Sequence, residues 1–164
     1  MQEIKYIKPA ALRKEMTRLR NERKMDFLES LTGMDWGEPT EGDAPDAIRG
    51  LGVVYHLEST TTGERITIKT STLNRENPEI PSVCDLWKAA EMNEREVYDF
   101  FGIVFSGHPD MRRLFLRNDW IGYPLRKDND PEKDNPLCMT NEDTIDTTTE
   151  IELNPDGTIK NKET

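Results

Sequence analysis

The sequence predicts an α+β fold of two layers, in which a small antiparallel or mixed sheet carries helices packed on one face. Apolar residues recur every three to four positions near the N-terminus, which indicates a helix with one buried face. Two later segments alternate apolar and polar residues across a short turn, as the strands of a hairpin do. After Pro124 this patterning fades, and from Asp128 onwards acidic residues accumulate. The sequence therefore divides into a folded domain, residues 1–127, and an extended, acidic C-terminal tail, residues 128–164.

The first predicted element is a helix from Pro9 to about Leu31, ending at Gly33. Leu12 and Leu19 lie on its apolar face, and proline is tolerated in a first helical turn. The outward face is rich in arginine and lysine. A solvated surface is the favoured interpretation of that face, and docking to an acidic partner is the alternative.

An antiparallel hairpin is predicted next, from residues 53–57 and 66–70, with a turn at residues 60–64. His56 falls within the first of these strands. Since no companion ligand accompanies it, we expect His56 to be a packing or surface residue.

A second helical region is predicted from Ser82 to Phe101. Ser82 and the acidic residue three positions later resemble a capping box, which would start a helix running to about Met92. A further short helical run would then reach Phe101 and stop at Gly102, because glycine permits a left-handed helix end. A short buried strand at 103–105 and a turn at 107–110 would follow.

Composition excludes several classes of function. The formal net charge of −10 argues against a nucleic-acid binder and disfavours adhesion to anionic lipid. No apolar run approaches the roughly 20 residues that a membrane-spanning helix needs. We therefore expect contact with a membrane only indirectly, through other proteins.

Cysteine and histidine are too few and too scattered for a metal site. Cys84 and Cys138 are the two cysteines, and His56 and His108 are the two histidines. Because no C-x-x-C spacing or glycine-rich nucleotide loop accompanies them, we expect no zinc, iron–sulfur cluster or other cofactor in this chain.

The most informative stretch covers residues 94–127, where charged, aromatic and glycine residues alternate at short range. Such mixing is typical of a buried polar network or an interface. We expect an ion pair between Arg95 and Asp99, which are one helical turn apart. Asp99, His108 and Asp110 are conceivable as an acid/base set, but without a nucleophile or phosphate loop a structural role is favoured. We therefore predict no catalytic residue.

The motif E-R-E-x-x-D-x-x-G-I-x-F-x-G-H-P-D-x-R-R, followed by D-W-x-G-x-P-L-R-K, resembles the signature of the 30 kDa (C) subunit family of respiratory complex I. Residues 31–36 and 82–90 also resemble the layout of that family. Tyr123, where members often carry histidine, and the divergent acidic tail depart from it. The residues that carry the resemblance are also the candidate partner-interface residues: Glu94, Arg95, Glu96, Asp99, Gly102, Gly107, His108, Pro109, Asp110, Arg112, Arg113, Asp119, Trp120, Gly122, Pro124, Leu125, Arg126 and Lys127.

The resemblance implies a non-redox structural subunit in the peripheral arm of a proton-translocating NADH:quinone oxidoreductase. It implies docking on the 49 kDa-type (D) subunit near the quinone site, with the B subunit as a second partner. Independently of the resemblance, the acidic excess and few large apolar residues of residues 128–164 predict a tail that wraps a partner and is ordered by it. NADH, flavin, iron–sulfur clusters and quinone would belong to partner subunits. The implied location is peripheral, on the cytoplasmic face of the bacterial inner (cell) membrane.

Two alternatives stay open. Related domains also occur in membrane-bound NiFe hydrogenases, so the chain is alternatively an accessory subunit of such an enzyme. The other alternative is a free-standing adaptor that binds acidic protein surfaces through its arginine-rich strip.

Overall fold

The part of the chain that the structure describes forms two helices and six strands. A computed structural model describes residues 3–40 and 47–130, and the predicted tail from residue 131 onwards lies outside the described residues. The elements, in chain order, are β1 (Glu3–Tyr6), α1 (Pro9–Asn21), β2 (Phe27–Asp35), β3 (Leu51–Glu58), β4 (Arg65–Thr72), β5 (Glu79–Pro81), α2 (Ala90–Phe101) and β6 (Val104–Ser106).

The main sheet is mixed and has the strand order β1-β4-β3-β2. β3 pairs with β4 and β2 in antiparallel fashion, whereas β1 lies parallel to β4. The predicted hairpin is thus present, with Tyr55 opposite Ile68. β5 and β6 form a separate two-stranded parallel sheet. The predicted α+β class with a mixed sheet is confirmed.

The first predicted helix was too long. It ends at Asn21, and the residues assigned to its second half form β2. Lys24 has a φ of 54°, a left-handed conformation that an α-helix does not accommodate. Along β2 the burial alternates, with Leu31 buried and Phe27 and Met34 exposed. Phe27 lies eight positions after Leu19, which is a helical spacing, but the one apolar residue between them, Met25, does not fit that period.

The second helical region was placed too early. α2 begins at Ala90, and the segment before it forms turns in which Val83 O accepts the N–H groups of Leu86 and Trp87. The Ser82 hydroxyl donates to Glu94 within α2 and does not cap a helix start. The predicted end is correct, because Gly102 follows α2 in the left-handed conformation, with a φ of 69°.

The core lies between the main sheet and the helices. Leu12, Met16 and Leu19 of α1 are buried together with the inward residues of β3 and β4. Removing such side chains from water is the main stabilising contribution to the fold. The other face of the sheet leaves Ile4 and Tyr6 exposed.

Much of the basic face of α1 is paired within the chain. Arg13 forms an ion pair with Asp85, and Arg18 pairs with Glu15. These internal ion pairs favour the interpretation of the basic face as a solvated surface over its interpretation as a docking surface.

Within the described residues, no helix is both long and apolar enough to cross a membrane.

Candidate functional site

The candidate site is built around three charged residues on the buried side of α2. Glu94 and Asp99 have no exposed surface, and Arg95 is 9% exposed. Buried charges are costly unless they are paired or hydrogen-bonded. Each of the three therefore needs a partner, and each finds it in a chain segment outside α2.

Glu94 joins α2 to the segment that follows β5. Its carboxylate accepts the Ser82 hydroxyl at 2.6 Å and the Val83 N–H at 2.8 Å. Burial raises the pKa of Glu94, although these two hydrogen bonds act in the opposite direction. An acid with a raised pKa favours folding at low pH, and this contribution is lost as the pH rises through its folded pKa.

The free energy of unfolding of Glu94→Gln, relative to that of the wild type, is therefore expected to be higher at pH 8 than at pH 4. The amide can still accept from Val83 and donate to Ser82, but it carries no charge to bury. Urea unfolding of both proteins at the two pH values measures the difference. Glu96→Gln, at an exposed position of the same helix, is the control and should show no such trend. A Glu94→Gln variant that loses more stability at pH 8 than at pH 4 would contradict the assignment.

Asp99 fixes the segment that follows β6. Its Oδ2 accepts three successive backbone N–H groups, from Leu114 at 3.1 Å, Phe115 at 2.7 Å and Leu116 at 2.9 Å. Its Oδ1 accepts from Arg113 Nη1 at 3.0 Å. Burial alone would raise the pKa of Asp99, but these donors outweigh it and lower the pKa. A chain segment without regular structure is thus held by one carboxylate.

Arg113 extends the same network to the next part of the loop. Its Nη2 donates to the carbonyls of Trp120 and Gly122, each at 3.2 Å. The guanidinium also lies 5.4 Å from the centre of the Tyr123 ring, a cation–π distance. Arg113 is therefore a largely buried residue that positions the loop backbone.

The expected ion pair between Arg95 and Asp99 is wrong. Arg95 donates instead to the carbonyls of Arg112 and Arg113, at 3.2 and 3.1 Å. Asp99 accepts instead from the Arg113 guanidinium and from the Leu116 N–H. Helical spacing brings the two side chains near each other, but the loop wraps around α2 and offers each a better partner.

Arg126 secures the end of the loop against the end of α2. Its Nε donates to Phe101 O at 2.6 Å, and its guanidinium lies 4.6 Å from the centre of the Tyr123 ring. Gly102 makes room for this arrangement, because an added Cβ would come within 2.4 Å of Tyr123 and 2.6 Å of Arg126.

Asp35 and Arg75 form a second anchor that the sequence interpretation missed. The Asp35 side chain is 2% exposed and pairs with Arg75 at 2.8 Å. It also accepts the backbone N–H of Lys127 at 2.9 Å, and Arg75 pairs with Asp128. The bond to Arg75 is the main cause that lowers the pKa of Asp35 far below its usual range. The one sequence feature that could have pointed to Asp35 was its position in segment 31–36, which resembles the family layout.

The imagined acid/base set does not assemble. His108 Nε2 lies 2.9 Å from Glu91 O, and its Nδ1 accepts the Asp110 N–H, whereas Asp99 binds residues 113–116. Burial lowers the pKa of His108. The described part of the chain also holds no group of three or more His, Cys, Asp or Glu residues arranged for a metal.

We call residues 107–127 the docking loop. The candidate residues divide by burial into two sets. An inner set is buried or half-buried and holds the loop in place, and an outer set is exposed to solvent. The buried or half-buried candidates are Glu94, Arg95, Asp99, Gly102, His108, Arg113, Trp120, Gly122, Pro124 and Arg126. The exposed candidates are Glu96, Gly107, Pro109, Asp110, Arg112, Asp119, Leu125 and Lys127.

The outer surface of the docking loop combines exposed apolar side chains with exposed arginine–aspartate ion pairs. Phe115, Ile121 and Leu125 are 65%, 63% and 55% exposed. The Arg112 and Arg117 side chains are 72% and 83% exposed. Aromatic and arginine side chains together are enriched in protein interfaces. The loop geometry therefore suits a protein contact better than chemistry on a small molecule.

Comparison with protein families places this geometry in a known context. Residues 5–135 match the model described as the 30 kDa subunit of respiratory-chain NADH dehydrogenase. The C/D subunit of NADH-quinone oxidoreductase from Bacteroides thetaiotaomicron is 75% identical over 163 residues, which are 99% of this chain and 31% of that protein. The C subunit of the Moorella thermoacetica oxidoreductase is 40% identical over 69% of this chain and 70% of its own length. The chain thus spans about a third of the C/D relative.

Solved structures agree with the fold. A trypsin-resistant fragment of Nqo5 superposes with a TM-score of 0.55 at 34% identity, over 65% of this chain and 80% of the fragment. A chain of the membrane-bound sulfane sulfur reductase, an archaeal respiratory membrane complex, gives a TM-score of 0.61 at 26% identity, over 88% of this chain and 84% of that one.

Proposed function

Because the chain belongs to the family of the 30 kDa subunit of respiratory-chain NADH dehydrogenase, we propose that it is a non-redox structural subunit of the peripheral arm. In this role it docks through the docking loop on the D-type subunit, near the quinone site, with the B subunit as a second neighbour. The relatives named C/D support the choice of the D-type partner, since in those proteins the two names belong to one chain.

The observation that carries the proposal is the construction of the docking loop. Asp99 and Arg113 use their hydrogen-bonding capacity to hold loop backbone. The Phe115 and Leu125 side chains of the same loop are exposed. A surface fixed before binding loses less conformational entropy when it meets a partner. This arrangement suits a subunit that sets the geometry of an assembly.

In this proposal, catalysis and membrane location are properties of the whole assembly and not of this chain alone. NADH, flavin, iron–sulfur clusters and quinone are bound by partner subunits, and this chain contributes no catalytic residue. It reaches the cytoplasmic face of the bacterial inner membrane through those partners. The acidic residues from 128 onwards are proposed to wrap a partner and to become ordered on it.

A second candidate is a subunit of another respiratory membrane complex, such as a membrane-bound NiFe hydrogenase. It is favoured by the similarity to a chain of the archaeal sulfane sulfur reductase. Both candidates use the same docking geometry and differ in the identity of the partner chains.

Purification of the tagged chain from native membranes in mild detergent tests the proposal. We expect quinone-reductase subunits, including the D-type and B-type, to co-purify in fixed stoichiometry. Hydrogenase or sulfur-reductase subunits would favour the second candidate. Recovery of the chain without respiratory subunits would contradict both candidates. The remaining interpretation would then be a free-standing adaptor that binds acidic protein surfaces.

A further inference from the structure

One face of α2 holds the docking loop at successive points. These points are spaced by four positions, so they lie one above the other on the helix: Glu91, Arg95 and Asp99. The Glu91 carbonyl meets the His108 ring. Arg95 donates to the carbonyls of residues 112 and 113, and Asp99 accepts the N–H groups of residues 114–116. The loop therefore runs along α2 from its first turn towards its last, and its first attachment is a histidine.

The two nitrogens of the His108 ring have opposite roles. Nε2 lies 2.9 Å from Glu91 O, and a carbonyl oxygen only accepts, so Nε2 carries the hydrogen. Nδ1 lies 3.0 Å from the Asp110 backbone nitrogen, whose N–H only donates, so Nδ1 carries none. The two partners thus assign the neutral tautomer with its hydrogen on Nε2. We call these two hydrogen bonds the His108 latch, because they join α2 to the start of the docking loop.

Protonation of the ring is incompatible with the second bond of the latch. An imidazolium carries hydrogen on both nitrogens, so Nδ1–H and the Asp110 N–H would face each other, and two donors at 3.0 Å must separate. The backbone of His108 itself is fixed, because its N–H donates to Phe105 O at 3.1 Å and Phe105 is buried. The movement therefore falls on the chain between His108 and the carbonyls that Arg95 holds.

The charged side chains around the latch come from the segment before α2, from α2 and from the docking loop: Lys88, Glu91, Glu94, Arg95, Asp110 and Arg112. The carboxylates of Glu94 and Asp110 favour a protonated His108 ring. The cations of Arg95 and Lys88 disfavour it. Burial has the largest effect and lowers the pKa of His108 from 6.5. The contribution of the latch to stability is therefore present above pH 6.5 and is lost as the pH falls through the folded pKa.

We infer that His108 is a proton-sensitive positioning residue, which holds the start of the docking loop on α2 while its ring is neutral and releases it when the ring is protonated. Asp99 stays ionised over the same range, because its pKa is lowered from 3.8. Residues 114–116 therefore remain attached when the latch opens. The inference rests on the proposed function for the use of the loop in docking, whereas the latch is a property of this chain alone.

Nitrogen-15 NMR of the whole, free chain at pH 8 tests the assigned tautomer. The chain has two histidines, so comparison with His56→Asn identifies the His108 signals. We expect the His108 ring to carry its hydrogen on Nε2 and none on Nδ1. A ring with its hydrogen on Nδ1 could not accept from the Asp110 N–H and would overturn the inference.

Titration of the same sample from pH 8 to pH 5 tests the proton sensitivity. The His108 ring and the Asp110 amide are expected to titrate with one midpoint below pH 6.5. Protection of the Asp110 amide against exchange, relative to its intrinsic rate, should fall about tenfold as its hydrogen bond is lost. The amides of residues 114–116 should keep their protection. A ring that titrates without a change at the Asp110 amide, or that stays neutral at pH 5, would overturn the inference.

Two substitutions separate the latch from other effects of acid. His108→Asn places an amide oxygen near the position of Nδ1, so it accepts from the Asp110 N–H but does not titrate. His108→Gln places its amide near the position of Nε2 and removes that acceptor. We expect the Asp110 amide to be protected at both pH values in the asparagine variant and at neither in the glutamine variant. A wild-type transition that persists in His108→Asn would assign it to another group, such as Glu94, and overturn the inference.

His56→Asn is the matched control for these variants. His56 is the other histidine of the chain, and its Nδ1 lies 2.9 Å from Thr67 Oγ1 in the main sheet. Its variant should keep the wild-type transition at the Asp110 amide. All these measurements use the free chain, so their failure overturns the latch alone. Failure of respiratory subunits to co-purify would overturn the proposed function and leave the latch standing.

Discussion

Asp99→Ala is expected to lower the free energy of unfolding by about 3 to 5 kcal/mol, the range for removing one partner of a buried charge pair. The substitution leaves the Arg113 guanidinium, 15% exposed in the wild type, without its carboxylate. It also leaves three successive N–H groups without their acceptor. Urea unfolding followed by tryptophan fluorescence measures the loss.

Asp119→Ala is the matched control for this variant. Asp119 also pairs with an arginine of the docking loop, but its side chain is 66% exposed. An exposed pair of this kind contributes about 0 to 1 kcal/mol, so the control should be nearly neutral. Similar losses in both variants would contradict the anchoring role of Asp99.

The effect of Asp99→Ala should also depend on pH. Because the pKa of Asp99 is lowered from 3.8, its contribution to stability is present above that value. It is lost as the pH falls through the folded pKa, because the protonated carboxyl binds the N–H groups and Arg113 less strongly. The stability difference between wild type and variant is therefore expected to be larger at pH 7 than in strong acid.

Gly102→Ala is the second substitution with a large expected effect. Its φ of 69° disfavours any side chain by about 1 to 2 kcal/mol, and the new Cβ would also come within 2.6 Å of the Arg126 guanidinium. Arg126 would have to leave Phe101 O and the Tyr123 ring. The total expected loss is about 3 kcal/mol, from backbone strain together with the lost anchor.

Gly63→Ala separates these two causes. Gly63 has nearly the same φ, 70°, but an added Cβ would meet nothing within 4 Å. Its variant should therefore lose about 1 to 2 kcal/mol, the backbone cost alone. Equal losses at both positions, measured by the same urea titration, would show that the contact with Arg126 and Tyr123 contributes nothing.

The sequence predicted those parts of the fold that have a single local signal. The hairpin around Tyr55 alternates clearly, and Gly102 ends α2 as glycine usually does. β2 was misassigned because its apolar residues also match a helical period, and the decision between the two depends on pairing with β3. β1 has four residues and is stabilised by a parallel neighbour more than 60 positions away, so no local pattern identifies it.

The contacts of the candidate residues could not be predicted from the sequence. Residues 94–127 do form one unit, yet the division into inner anchors and outer surface depends on how the loop wraps α2. Arg112 and Arg113 are neighbours in the motif, but the first is exposed and the second is half-buried on Asp99. Asp35 and Arg75 were missed because they lie far from the motif and meet it only in the folded chain.

Amide hydrogen exchange on the free wild-type chain and on Asp99→Ala tests most directly whether the chain itself builds the docking loop. The account predicts that the amides of Leu114, Phe115 and Leu116 are protected in the free wild-type chain, and that they lose this protection in the variant. Amide hydrogens that are bonded to a buried carboxylate exchange with solvent only when the loop opens. Exchange of these three amides at unprotected rates in the free wild type, with protection gained only when a partner binds, would contradict the account.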